Sequence, residues 1–135
     1  MKLRLLVIVL ILINLFGCSK TNISTEEIIE ENISIFLKAV ENNEVDTMVK
    51  YADDLRFPDK KEQKNEYISI NQKIKKTSVK DLKQLNDKEY SVTITCEVEG
   101  KADEFTFPIK YENKDWRIIV GQEHFHDLPR IHDVK

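Results

Sequence analysis

EYSVTITCEVEG, Glu89 to Gly100, alternates apolar and polar residues at a period of two. In an extended chain Tyr90, Val92, Ile94, Cys96 and Val98 fall on one side and Ser91, Thr93, Thr95 and Glu97 on the other. That is the pattern of a strand with one face in a core. Toward the C-terminus, Gly100-Lys101-Ala102-Asp103 reads as a turn and Phe105, Phe107, Ile109 and Tyr111 as the inward face of the next strand. Glu112 to Asp115 turns again into Trp116-Arg117-Ile118-Ile119-Val120. Toward the N-terminus, Val79 to Leu85 is a strand with imperfect alternation, followed by a turn at Asn86-Asp87-Lys88. Short turns between such strands predict an antiparallel meander. Pro108 has no N–H to give a ladder, so it is expected at an unpaired position or a bulge.

Upstream of the strands the period is 3.6. Ser24 and Glu27 have the spacing of a capping box, and Ile29, Ile33, Phe36 and Val40 form one apolar stripe ending near Asn42-Asn43. A second helix is expected from Glu44 to Ala52, capped by Asn43, with Val45, Met48, Val49 and Ala52 inward. A third is expected from Asn65 to Lys75, carried by Tyr67, Ile70 and Ile74. Helices followed by a meander predict an α+β domain over residues 24–121, helices packed on a curved antiparallel sheet, with 122–135 as a C-terminal tail.

FLKAVENNEVDTMVKYA (Phe36 to Ala52), YSVTITCEVEG (Tyr90 to Gly100) and KDWRIIVG (Lys114 to Gly121) resemble the nuclear transport factor 2-like, or cystatin-like, cone fold. The resemblance implies a cone between helices and sheet. It does not imply an activity, since such a fold carries enzymes, binding modules and assembly domains. Enzymes of this superfamily place an Asp or Glu, often with His or Tyr, inside the cone. The inward positions inferred from the strands hold no acid and no histidine. Tyr90, Tyr111 and Trp116 are the candidates to line a ligand site there, through ring faces and hydroxyls.

The N-terminal end carries a separate message. Lys2 and Arg4 precede LLVIVLILINL, Leu5 to Leu15, ten apolar residues and one Asn. Eleven residues are too few to cross a hydrocarbon core of about 30 Å, so the run reads as an export signal. Leu15-Phe16-Gly17-Cys18 resembles the lipobox of bacterial lipoproteins. The resemblance implies diacylglycerol on the Cys18 thiol, cleavage after Gly17 and a lipid-bearing Cys18 as the mature N-terminus. Residues 1–17 are then the signal peptide and 18–23 a tether of at most about 15 to 18 Å. The expected address is the extracytoplasmic face of the cell membrane, held by lipid without a spanning helix.

The 135 residues are 41% apolar and 33% charged, which suits one compact domain and excludes disorder. Loss of residues 1–17 leaves 19 basic and 24 acidic residues, a net charge of −5, which gives no attraction to nucleic acid. Residues 24–56 carry nine acids against three bases, and 59–88 nine bases against five acids. With Cys18 acylated, only Cys96 is left, and its place on the apolar side of a strand makes it a small buried hydrophobe.

His124, His126 and His132 fall in the tail; the first two have the i, i+2 spacing that a metal such as zinc can use with a third ligand. Three glycines, Gly17, Gly100 and Gly121, make no phosphate-cradling loop, and no cofactor is expected. The expected function is a non-catalytic binding or protein-interaction module, with an envelope protein as partner. The alternative is a small-molecule carrier or enzyme using the cone.

Overall fold

The computed structural model describes residues 23–70 and 72–122. In chain order these form α1 (Thr25–Asn42), α2 (Val45–Tyr51), β1 (Ala52–Asp54), α3 (Lys60–Ser69), β2 (Ile74–Asn86), β3 (Glu89–Val98), β4 (Lys101–Glu112) and β5 (Asp115–Val120). The sheet order is β1-β5-β4-β3-β2. Strands β2 to β5 are the expected antiparallel meander; β1 adds to β5 in parallel, Ala52 opposite Ile118 and Asp54 opposite Val120. The architecture is α+β, with N-terminal helices over a curved sheet.

Helix α1 starts as its sequence dictates. Ser24 is extended, its Oγ accepts from the Glu27 N–H at 3.1 Å, and Glu27 Oε2 accepts from the Ser24 N–H at 2.8 Å. This capping box is worth about 1 kcal/mol. Ile29, Ile33, Phe36, Leu37 and Ala39 are buried, and the first four pack with Tyr90, Val92, Ile94, Ile109, Trp116 and Ile118. Each large side chain so buried contributes about 1.5 to 3 kcal/mol. At the far end Glu41 Oε1 accepts from both the N–H and the hydroxyl of Thr77, each at 2.6 Å, tying α1 to β2.

Strand β3 follows the alternation, with Tyr90, Val92, Ile94 and Cys96 buried; β4 buries Ile109 but leaves Phe105 and Phe107 half-buried and Tyr111 exposed, and β2 buries no residue. Register shifts in β2 between Lys75 and Ser78, Val79 and Asp81, and Gln84 and Asn86 mark bulges, which bend and twist a strand. Pro108 is in register opposite Ser91 of β3 with no bulge, so it is unpaired only on its other side, where the β4–β5 register ends at Ile109 opposite Ile118.

Four expectations are corrected. Asn43 closes α1, in the left-handed region at φ 56°, and does not cap α2, whose N-cap is Glu44. The helix expected over Asn65–Lys75 runs instead from Lys60 to Ser69, because Asp59 Oδ1 accepts from the N–H groups of Lys61 and Glu62 and starts it earlier. Ile70 is left exposed and Ile74 opens β2, five residues before the expected strand start at Val79. The fourth correction is Ala52, which is not the end of α2 but the first residue of a fifth strand.

Candidate functional site

Tyr90, Tyr111 and Trp116 meet. Tyr111 lies opposite Trp116 across the β4–β5 hairpin, their ring centroids 5.2 Å apart and tilted by 52°. Tyr90 meets the same indole edge-on, at 5.4 Å and 87°. Tyr90 and Trp116 belong to the core, while Tyr111 is 42% exposed. Asn32 of α1 donates to the Trp116 carbonyl at 3.4 Å. The three residues singled out in the sequence thus form one aromatic wall, of which the Tyr111 ring is the exposed part. Side chains of α1 pack in one buried cluster with Tyr90 and Trp116.

A second constellation lies at β1, and the strand reading missed it. Asp54 is 4% exposed, an acid turned inward where the alternation of β3 to β5 offered none. Its Oδ1 accepts from Arg56 N at 3.1 Å and Arg56 Nε at 2.9 Å; its Oδ2 accepts from Arg56 Nη2 at 2.6 Å and the Tyr67 hydroxyl at 2.9 Å. Desolvation pushes this carboxyl up, but the bonds from Arg56 and Tyr67 outweigh it and hold the group below the usual carboxylate range. Burial, then the Asp54 bond and charge, push the Tyr67 phenol well above its ordinary value. A general base needs a free lone pair and a carboxyl raised toward neutral pH. Asp54 has four donors on two oxygens and is shifted the other way, so its chemistry is that of a clamp.

Beside it, Asp53 receives Arg117 Nε at 2.9 Å and Nη2 at 3.0 Å, and pairs with Lys60. Desolvation raises Asp53, and the bonds and charges of Arg117 and Lys60 more than offset this, leaving it lowered. Arg117 also donates to the carbonyls of Lys50 and Val49, and Lys60 Nζ to those of Val49 (3.1 Å) and Ala52 (2.6 Å). Two cations therefore sit at the C-terminal end of α2, where carbonyls lack helical partners and the dipole favours positive charge. Gln63, buried, donates from Nε2 to Ala52 O at 3.1 Å and accepts at Oε1 from Asp54 N at 3.5 Å. One signal in the sequence pointed here: Ala52-Asp53-Asp54 puts two acids in a segment that ends a helix, with Arg56 and Lys60 within reach.

Elsewhere, Cys96 is buried, and desolvation followed by the Asp103 charge raises its thiol above the ordinary value. Lys73, Lys75, Glu97, Glu99 and Gly100 line an open surface depression of about 370 Å³ in which both signs of charge alternate. Among the described residues no group of three His, Cys, Asp or Glu side chains is placed to hold a metal, and no helix is long and apolar enough to cross a membrane. Cys18, the signal peptide and tether, and His124, His126 and His132 lie outside the described residues.

No family model matches the chain, and no curated protein is similar to it. Among solved structures it is similar to a ketosteroid isomerase-like protein from Erwinia carotovora atroseptica SCRI1043, at 14% identity and a TM-score of 0.49, covering 67% of this chain and 88% of that one. It is also similar to an NTF-2 like protein of unknown function from Shewanella oneidensis MR-1, at 12% identity and a TM-score of 0.49, covering 71% and 96%. An NTF2-like protein of unknown function from Cytophaga hutchinsonii ATCC 33406 matches at 12% identity and a TM-score of 0.49, covering 74% and 90%.

Proposed function

We propose that the chain is a lipid-anchored, extracytoplasmic lipoprotein whose α+β domain is a non-catalytic binding or protein-interaction module. The observation that carries the anchoring is Leu15-Phe16-Gly17-Cys18 directly after an eleven-residue apolar run with Lys2 and Arg4 in front. Two acyl chains give a stable membrane hold where one is marginal. Five residues separate Cys18 from Ser24, the N-cap of α1, so the proposed tether is short and holds the domain close to the lipid surface.

The non-catalytic part of the reading is supported by how the two constellations are engaged. The aromatic wall packs against α1, and the buried carboxylate of Asp54 is saturated by Arg56 and Tyr67. An envelope protein is the proposed partner. The aromatic wall also supports a second reading, a small-molecule carrier that uses the exposed ring of Tyr111 beside Trp116.

The test is fractionation of cells expressing the full chain and its Cys18→Ala variant. The native form is expected in the membrane fraction, with a diacylglycerol-modified Cys18 at its N-terminus by mass spectrometry. The variant is expected to keep its leader uncleaved at Gly17. An unmodified amino terminus on the native protein overturns the anchoring. Crosslinking of the native form in intact cells then separates a protein partner from a small ligand.

A further inference from the structure

Strand β1 is one of the two edge strands of the sheet, and its outer edge is occupied by a side chain. Asp53 and Leu55 turn their backbone toward β5; Leu55 N donates to Val120 O at 3.0 Å. Ala52 and Asp54 turn theirs the other way, and the Gln63 carboxamide meets both, donating to Ala52 O and accepting from Asp54 N. A carboxamide carries the same donor and acceptor as a peptide group, so Gln63 stands where the backbone of a sixth strand would stand.

The helix that delivers Gln63 is held differently from the rest of the molecule. Gln63 is the single buried residue of α3, whereas α1 buries five apolar residues. Ile68, in the last turn of α3, is 64% exposed, and Ile70 just after it is also exposed. Apart from one edge contact of the Tyr67 ring with Phe57, what fastens α3 is polar: Gln63 to β1, Lys60 to the carbonyls of Val49 and Ala52, Lys64 to Asp46, and Tyr67 to Asp54. Water replaces such contacts far more readily than it replaces buried apolar area, and segments held this way open below the cost of global unfolding.

We propose that α3 is a lid over the outer edge of β1, latched by the Gln63 carboxamide, that opens as a unit while α1 and the meander stay folded. Opening removes the Gln63 and Lys60 bonds from Ala52 O, leaving it a long 3.5 Å contact from Arg117 Nη2, and frees Asp54 N; one acceptor and one donor on the same edge are the groups an extended segment needs to add to a sheet. The lid thereby keeps a short sheet edge closed until α3 is displaced. This does not depend on the lipid anchor.

The experiment is native-state hydrogen exchange on the full chain, resolved by fragment. Amides from Gln63 to Ile70 are expected to exchange at least tenfold faster than those of α1 and β3. Gln63→Leu keeps the volume and removes both bonds to β1, and should speed α3 by about a further tenfold. Tyr67→Phe should speed it several-fold, and in neither variant should α1 or β3 change. Exchange of α3 in step with α1 and β3 in the native protein overturns the proposal, and so does a uniform acceleration of all elements in the variants. Unchanged α3 exchange in Gln63→Leu also overturns it, since packing and not the carboxamide would then hold the lid.

Discussion

Gly121 lies directly against Asp54. At Gly121, φ is +77°, and a Cβ built on it would run into Asp54 Oδ1 and stand 2.9 Å from Arg56 Cγ. The residue just after β5 is thus the one that leaves room for the Asp54–Arg56 pair. Gly121→Ala should destabilise the domain by about 2 to 3 kcal/mol, from the backbone strain together with the displaced clamp. Gly100 also has positive φ, +81°, yet nothing lies within 4 Å of its would-be Cβ. Gly100→Ala should therefore cost only about 1 kcal/mol, the backbone share alone. Urea unfolding of both variants checks this, and equal losses would remove the claim that Gly121 is needed for space.

The clamp also fixes how stability follows pH. Asp54 and Asp53 are both held below the ordinary carboxylate value, so the folded state binds their protons less readily than the unfolded chain. Their stabilisation is fully present above about pH 4 to 5, and is lost as pH falls through the folded values. Tyr67 is shifted upward, so its contribution is present below about pH 10 and is lost as pH rises beyond that. Chemical denaturation across pH should show a plateau with a fall at each end. Asp54→Asn should flatten the acid fall and lower the plateau by about 2 kcal/mol; Tyr67→Phe should flatten the alkaline one. An acid fall of undiminished size in Asp54→Asn would assign it to other groups.

At the β4–β5 turn, Asn113 and Lys114 both have positive φ, 52° and 68°. Such a two-residue hairpin turn favours Asn-Gly, and a lysine at its second position holds a conformation its side chain disfavours. Lys114→Gly should stabilise the domain by about 0.5 to 1 kcal/mol, a rise of a few degrees in Tm. A lower Tm in a scanning calorimeter would show that Lys114 makes a compensating contact.

What the sequence made legible follows from what holds each part together. Helix α1 and strands β3 to β5 are held by apolar burial, which leaves a period: Ile29, Ile33 and Phe36 at helical spacing, Tyr90, Val92, Ile94 and Cys96 at strand spacing. Tyr90, Tyr111 and Trp116 could be grouped because the alternation puts them on one face. Strand β1 and α3 leave no such trace. β1 has three residues, and its direction is set by β5 and by the Asp53–Arg117 pair, which joins positions 64 residues apart. Helix α3 turns a glutamine inward, so a search for apolar stripes placed it too late, over Asn65–Lys75. The inward acid was missed for the same reason: Arg56 lies two residues away, but Tyr67 and Gly121, which complete its surroundings, are distant in sequence and leave no apolar period.

Thiol reactivity tests the fold and the proposed anchor together. Cys96 is buried and its thiol is raised by desolvation and by Asp103, so little thiolate is present near neutral pH and little of it is reachable. In the native protein a maleimide should label Cys96 no faster than the chain opens, and Asp103→Asn should change that rate little, because access and not ionisation limits it. In denaturant Cys96 should react at once. Cys18 supplies the contrast: if its sulfur carries diacylglycerol, protein from membranes has no fast-reacting thiol, whereas the chain made without a lipid-transfer step has one. Mass spectrometry of the labelled fragments assigns each count to its cysteine. One fast thiol at Cys18 in membrane-derived protein would contradict acylation, and one at Cys96 would contradict the packing of β3.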